Sequence, residues 1–273
     1  MRIQHNIMAM NANRNLTFNN TQLSKNLEKL SSGYRINRAG DDAAGLAISE
    51  SMRADISVYK QSINNANDGI SMVQTAEGAL TEVHDMLNRM ETLVSQAANG
   101  TYSLEDRTKI QSEITALNDE IKRIQDDTEF NGIKLLDGTL NKDFAVSKNE
   151  NSKINLKVDK GITTEIKDDV AKIDIKDSTG AKAMKGITHV KTAIKNISTV
   201  RSNLGAIQNR LEHTVNNLGV TMENLQNAES TIRDTNIADE MMAYTKNNIL
   251  IQSAQAMLAQ ANQVPQGVLQ LMQ

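Results

Sequence analysis

Residues 190–232 read VKTAIKNISTVRSNLGAIQNRLEHTVNNLGVTMENLQNAESTI, and this stretch decides the fold. Every seventh position carries a large aliphatic side chain, and no proline interrupts the series. The seven positions are Val190, Ile197, Leu204, Leu211, Leu218, Leu225 and Ile232. A sustained repeat of this kind predicts a helix about 65 Å long that packs along a neighbour. Burying its side chains stabilises the fold by roughly 10–20 kcal/mol as an upper bound. Because a lone helix cannot bury them, the rest of the chain, or another copy, must supply the partner.

Composition excludes several classes of protein. The 273 residues carry a net charge of −3, and aromatic residues make up only 3%. This mild acidity gives no reason to expect a nucleic-acid partner or an anionic membrane. Cysteine is absent, so a disulfide framework and a thiolate zinc site are excluded. No window approaches a membrane span, and the N-terminus lacks the apolar run of a signal peptide. The chain is expected to stay in the cytoplasm or to leave by a route that cuts no signal.

The remaining sequence predicts a mainly α fold. Long coiled-coil-like helical rods come from the N- and C-terminal parts of the chain, with a small β-hairpin region in the middle. Helices are predicted over residues 3–30, from about Ala43 to Ala98, and from a Ser103–Asp106 capping box to about residue 127. Alternating apolar residues within 144–177 predict strands, including one at 173–175, and helix resumes near residue 184.

Both chain ends are predicted to form amphipathic helices that have little partner within the chain except each other. Their polar faces are rich in asparagine, glutamine and threonine, which solubilise a helix poorly. In the C-terminal helix one heptad line joins Ile237, Tyr244, Ile251 and Leu258. The glycines inside the rods are interpreted as points of close backbone approach between helices. They are Gly69, Gly78, Gly205 and Gly219.

No constellation of residues predicts catalysis, a cofactor or a metal. The four histidines are His5, His84, His189 and His213, and no two have metal-binding helix spacing. A glycine-rich phosphate loop with lysine and a Gly-x-Ser-x-Gly elbow are both missing. The thirteen methionines are interpreted as adaptable packing surface.

Local motifs carry a resemblance to bacterial flagellins. At the N-terminal side these are Leu30-Ser-Ser-Gly-Tyr-Arg-Ile-Asn37, Gly40-Asp-Asp-Ala-Ala-Gly-Leu-Ala-Ile48 and Phe130-Asn-Gly-Ile-Lys-Leu-Leu136. At the C-terminal side they are Leu218-Gly-Val-Thr-Met-Glu-Asn-Leu225, Ala228-Glu-Ser-Thr-Ile-Arg-Asp234 and Ala261-Asn-Gln-Val-Pro-Gln266. The resemblance covers roughly residues 1–140 and 185–273 in the family's order, and the unmatched middle corresponds to the family's variable region.

The resemblance implies a subunit of the helical flagellar filament, a homopolymer used for swimming. Residues 1–42 with 234–273 would form its inner core layer. Residues 43–140 with 184–233 would form the rod domain, and 141–183 a short variable region. The family is exported by the flagellar type III system and is extracellular. The implied partners are further copies, an export chaperone at the C-terminal helix, and the filament cap and hook–filament junction proteins.

The resemblance also assigns site residues. A host innate immune receptor reads flagellins at a motif that matches Arg89, Leu93 and Gln96 on the outer face of the rod, with Glu113 on the next helix. Here Glu91 and Thr92 stand where that motif commonly has Arg-Glu. For subunit contacts the resemblance favours salt bridges from Arg35, Arg38, Asp41 and Asp42, beside the apolar Ile237, Tyr244, Ile251 and Leu258.

Two other readings remain open from the sequence. A hook–filament junction protein of the same superfamily usually has a longer middle region and weaker matches at 218–234. A cytoplasmic coiled-coil signalling rod, such as a chemoreceptor hairpin, would lack the Asn/Gln-rich ends.

Overall fold

The computed structural model of the chain describes residues 6–148, 153–158, 168–176 and 181–271, with side chains as far as residue 263. These residues form five long helices and four short strands. They are α1 (Ile7–Ser32), α2 (Ala43–Ala98), α3 (Leu104–Asp127), β1 (Glu129–Phe130), β2 (Ile133–Lys134), β3 (Asn141–Ala145), β4 (Lys153–Lys157), α4 (Ala181–Arg233) and α5 (Ile237–Leu271). The predicted mainly α class is confirmed.

Side-chain caps and a glycine set the helix ends. Asn6 begins α1 by accepting a hydrogen bond from the Ala9 N–H at 3.1 Å. Gly33 ends α1 with a φ of +76°, a left-handed conformation that glycine adopts without strain. The predicted capping box of Ser103 and Asp106 is confirmed at the start of α3. Helices α1 and α3 therefore begin where a local side chain satisfies free backbone N–H groups.

The chain divides into two compact units. The terminal unit comprises Met1–Ile56 with Glu223–Gln273, and the middle unit comprises Ser57–Met222. Helices α2 and α4 contribute residues to both. The three-part division predicted from the sequence places its boundaries elsewhere and stays a prediction.

The middle unit has a continuous apolar core along α2, α3 and α4. Val83, Leu87 and Val94 of α2 pack with Ile114 of α3 and Ile197 of α4. The heptad line of α4 is buried from Val190 to Leu218, as its spacing predicts. Its last two members, in the terminal unit, are only partly buried. The neighbour required by the seven-residue repeat is therefore α2 of the same chain over most of its length.

The middle region contains two small antiparallel sheets. β1 pairs with β2, and β3 pairs with β4 so that Phe144 lies opposite Ile154. The predicted strand at 173–175 is wrong. Ile173 and Ile175 do alternate, but both insert into the helical core, 4% and 0% exposed. The side-chain amide of Gln111 makes the backbone hydrogen bonds that a neighbouring strand would make, to Ile173 O and from Ile175 N.

The interpretation of the rod glycines as points of close approach between helices holds at one of the four positions. A Cβ added at Gly69 would lie 3.3 Å from the side chains of Leu211 and Phe144, so the helices do approach closely there. At Gly78, Gly205 and Gly219 nothing described lies within 4 Å, and the interpretation is wrong for contacts within the chain. The sequence interpretation missed a close approach at Gly186. A Cβ added there would lie 3.1 Å from the Val94 side chain.

The terminal unit is built on α1 and α5, which pack along each other. Asn6 Nδ2 donates to Ala261 O at 2.7 Å near the start of α1, and Thr235 N donates to Gly33 O at 3.0 Å beyond its end. These two contacts fix an antiparallel pair. Among the described residues no helix is both long enough and apolar enough to span a membrane.

Candidate assembly and recognition surfaces

Large apolar side chains are exposed mainly on the terminal helices. Of the 17 exposed large apolar residues among the described side chains, eleven lie on α1 or α5. We call these eleven the terminal apolar residues. They are Ile7, Met8, Met10, Phe18, Leu27, Ile237, Met241, Met242, Ile249, Leu250 and Met257, each 40–69% exposed. Monomeric proteins rarely leave so many large apolar side chains in water along one helix pair. The pair is therefore a candidate assembly surface.

The heptad line assigned to subunit contacts is largely covered within the chain. Ile251 is 8% exposed, and Tyr244 and Leu258 are partly buried. Ile237 alone is exposed, at 50%. Most residues of this heptad line therefore pack inside the terminal unit. Their role in contacts between subunits stays a prediction. The sequence interpretation missed the exposed residues beside it because a heptad count cannot say which of two adjacent apolar lines faces the partner helix.

A groove opens between the two terminal helices. It has a volume of about 470 Å³, and Met8 and Ala12 of α1 and Met257 and Ala261 of α5 line it. Small side chains at Ala12 and Ala261 are buried and let the helices approach, while the two methionines remain exposed at 69% and 56%. The groove is therefore edged by flexible, polarizable side chains that can adapt to an inserted apolar group.

Arg233 links the ends of α1 and α4 to the first turns of α2. Its guanidinium Nη1 lies 2.6 Å from Glu50 Oε1, and its Cζ lies 4.8 Å from the ring centre of Tyr34. Its carbonyl accepts a hydrogen bond from Arg35 N at 2.7 Å. The Arg233 side chain is only 12% exposed. The pKa of Glu50 is lowered, first because Arg233 donates to its carboxylate. Sequence interpretation does not single out Arg233, because its partners Glu50 and Tyr34 lie more than 180 positions away in the chain.

The four charged residues assigned to subunit salt bridges all have partners within the chain. Arg35 donates to Ile232 O, and Arg38 pairs with Glu28 at 2.9 Å. Asp42 accepts from Gly45 N at 2.9 Å and so caps α2.

Asp41 has backbone partners. Its carboxylate accepts from the N–H groups of Arg38 and Asn37 at 3.0 and 3.2 Å, and these bonds lower its pKa. The connector between α1 and α2 is therefore ordered by its own charges, and the inter-subunit salt bridges stay a prediction.

The residues assigned to receptor recognition are only partly on the surface. Arg89 of α2 pairs with Glu113 of α3 at 2.8 Å, and both are about half exposed. Gln96 is exposed and donates to the Tyr102 hydroxyl at 2.8 Å. The placement of Leu93 on the outer face is wrong, because this side chain is 3% exposed and belongs to the core beneath α3. The recognition role itself stays a prediction.

Comparison with known proteins decides the family. Residues 3–141 match the bacterial flagellin N-terminal helical region, and residues 187–272 match the bacterial flagellin C-terminal helical region. The chain belongs to the bacterial flagellin family. It is 52% identical over 273 residues to a flagellin of Halalkalibacterium halodurans, and 49% identical over 303 residues to a flagellin of Bacillus subtilis. Each match covers 100% of both chains. Flagellins with a comparably short central region are therefore its relatives.

Solved structures agree with this assignment. The chain is similar to the crystal structure of Bacillus cereus flagellin, with 34% identity and a TM-score of 0.50 over 57% of this chain and 88% of that one. A flagellar hook-associated protein of Vibrio parahaemolyticus shares the fold, with a TM-score of 0.59, 14% identity, and coverage of 71% of this chain and 100% of that chain. The low identity of the second match means that it supports the fold alone.

Family membership establishes the class of function. The flagellin chain is a structural subunit that polymerises into the flagellar filament, and it is not an enzyme. The readings as a junction protein or a signalling rod are not favoured, because full-length flagellins match the whole chain. Within the described residues no group of three His, Cys, Asp or Glu side chains could hold a metal ion.

Proposed function

We propose that copies of this flagellin-family chain assemble into the filament through the terminal apolar residues of α1 and α5. The observation that carries the proposal is their exposure on helices that already pack together. Covering eleven half-exposed apolar side chains contributes on the order of 10 kcal/mol per copy as an upper bound, before the cost of association. This free energy is gained in full only if several neighbouring copies together cover the eleven residues.

The charge distribution of α5 supports the same surface. No charged residue occurs between Asn247 and Leu271, and the polar positions there are mostly asparagine, glutamine and serine. Charged groups are depleted at the centres of protein interfaces because their desolvation is costly. A helix end that is neutral and rich in amides can be covered by a neighbour without burying an unpaired charge.

Seeded polymerisation of the purified chain tests this proposal. Phe18→Gln and Ile249→Gln replace terminal apolar residues that are 61% and 62% exposed. Each variant is expected to raise the critical concentration by roughly tenfold, the loss of one buried apolar side chain. Val220→Gln, at a residue 60% exposed on α4, is the matched control and should polymerise like the original chain. Equal critical concentrations for all four proteins would overturn the assignment.

The resemblance supports finer proposals about partners. Before assembly the terminal apolar residues of α5 need cover, which fits an export chaperone at this helix. The chain would then leave through the flagellar type III system and meet the cap and the hook–filament junction proteins outside the cell. Residues 1–42 with 234–273 would form the inner layer. Arg35, Arg38, Asp41 and Asp42 would exchange some of their internal partners for neighbouring copies.

For the innate immune receptor we propose a recognition surface at Arg89, Gln96 and Glu113. Leu93 would act beneath it by holding α2 against the core. Purified monomer with Arg89→Ala should lose receptor signalling, and Arg123→Ala is the matched control. Arg123 lies on α3, pairs with Glu120 and has the same exposure as Arg89 within a few per cent, 59% against 58%. Full signalling by the Arg89 variant, or equal loss in the control, would reject the surface.

A further inference from the structure

Methionine is the only sulfur-containing residue in this chain. There are 13 methionines and no cysteine. The described methionines fall into distinct groups. In the middle unit Met72 and Met90 are 4% and 0% exposed. Six others are 45–69% exposed, and five of these six lie on the terminal helices. The five are Met8, Met10, Met241, Met242 and Met257; the sixth is Met184, at the start of α4 and 62% exposed.

We propose that these five methionines form an oxidative modification site that controls whether the monomer can assemble. The oxidant is a peroxide. The thioether sulfur attacks one peroxide oxygen, the O–O bond breaks, and a new S=O bond forms. Sulfur is oxidised by two electrons, and the peroxide is reduced to one molecule of water. Two dithiol-dependent methionine sulfoxide reductases, one for each sulfoxide epimer, reverse the step: the oxygen leaves as water and the dithiol is oxidised to a disulfide. The inference rests on the assembly surface proposed above.

The five methionines lie on the exposed surface of the terminal helices, so their oxidation affects assembly more than the fold of the monomer. Because each of the five side chains is 45–69% exposed, a thioether can become a sulfoxide while its new oxygen still faces water, and the helix pair of the terminal unit is kept. The same oxygen is costly once a neighbouring copy covers the side chain, because a buried acceptor needs a hydrogen-bond donor. Met8 and Met257 edge the same groove, so oxidation of both places two polar sulfoxide groups at one part of the assembly surface.

The chain supplies its own controls for the experiment. Monomer is treated with hydrogen peroxide, oxidation is measured at each methionine by peptide mass spectrometry, and seeded polymerisation is followed by sedimentation. The expected order of oxidation places the five methionines and Met184 ahead of Met72 and Met90. Monomer helicity should be unchanged, and the critical concentration should rise by at least roughly tenfold. Incubation with both epimer-specific reductases and a dithiol should restore the original critical concentration. Preformed filaments should oxidise more slowly at the five positions.

Two variants test whether oxidation of the five methionines, and not of other methionines, blocks polymerisation. M8L/M10L/M241L/M242L/M257L keeps side-chain volume and removes the sulfur, so it should polymerise after peroxide treatment. M184L removes an equally exposed methionine elsewhere and should give no protection. If the fivefold variant does not polymerise even untreated, partially oxidised original chain is fractionated. Sulfoxide at the five positions should then be depleted from the pellet, while Met184 sulfoxide divides evenly.

Four outcomes are decisive. Oxidised chain that assembles normally, or sulfoxide at the five positions spread evenly between pellet and supernatant, overturns the inference while leaving the assembly surface intact. Protection by M184L equal to that of the fivefold variant also overturns it. Failure of untreated original chain to polymerise on seeds overturns the proposed assembly function instead.

Discussion

Replacing Arg233 by alanine tests how the terminal unit is held together. The Arg233 side chain is 12% exposed, contacts the Tyr34 ring, and pairs with Glu50. Arg233→Ala removes both side-chain contacts, so the connector between α1 and α2 is held to the end of α4 only by its backbone hydrogen bonds and by Arg35, which donates to Ile232 O. The expected result is a local opening of this connector, with the helices on either side intact.

The free energy lost in Arg233→Ala can be judged from how exposed Arg233 and Glu50 are. A largely desolvated guanidinium on an aromatic ring, together with the packing of its stem, is worth about 2 kcal/mol. The ion pair adds little because Glu50 is 53% exposed, and its charge is screened by water. A loss of about 2 kcal/mol corresponds to roughly a 30-fold increase in local opening.

Amide hydrogen exchange measures this opening directly. Arg35 N donates to Arg233 O at 2.7 Å, and Thr235 N donates to Gly33 O at 3.0 Å, so both amides report on the connector. Both should exchange roughly 30-fold faster in Arg233→Ala. Arg53→Ala is the control, since Arg53 bonds the same Glu50 carboxylate at 3.3 Å but is 51% exposed. It should change exchange by less than about fivefold. Unchanged protection in Arg233→Ala would refute the anchoring role.

Gly186→Leu should destabilise the middle unit by about 1–3 kcal/mol in urea unfolding, because its added Cβ meets Val94 at 3.1 Å. Gly205→Leu, with nothing described within 4 Å, should be neutral or stabilising by up to about 1 kcal/mol; equal destabilisation by both would contradict the packing. Ser103→Ala should cost about 1 kcal/mol of α3 stability by thermal unfolding, since it removes the capping box. Asp41 has a lowered pKa, so it stabilises the connector above about pH 4, and this contribution is lost as the pH falls through its folded value. Asp41→Asn should abolish that acid dependence of amide exchange, and an unchanged profile would exclude Asp41 as its source.

Much of the fold could be predicted because helix periodicity and capping are local. The heptad line from Val190 to Leu218 predicts a buried helix face, and the structure buries it. The Ser103 capping box gives the start of α3 correctly. Both signals depend on residues a few positions apart, which a single sequence contains in full.

The errors arose where distant parts of the chain decide the outcome. Ile173 and Ile175 alternate like a strand, yet the amide of Gln111, more than 60 positions away, binds their backbone. The motif predicts Leu93 at the surface, but the packing of α3 covers it. Gly205 and Gly186 cannot be distinguished by helix spacing, because the neighbours that crowd one of them lie on other elements. Contacts between copies depend on a partner chain, so periodicity could predict unpartnered ends but not the residues that remain exposed.

A density map of filaments grown from the purified chain on seeds tests the central claim most directly. The measured quantity is the exposed fraction of the eleven terminal apolar residues in the assembled filament, compared with 40–69% in the single chain. The account predicts that neighbouring copies bury most of them. Filaments in which α1 and α5 still face solvent, with contacts made through residues 57–222 alone, would contradict it.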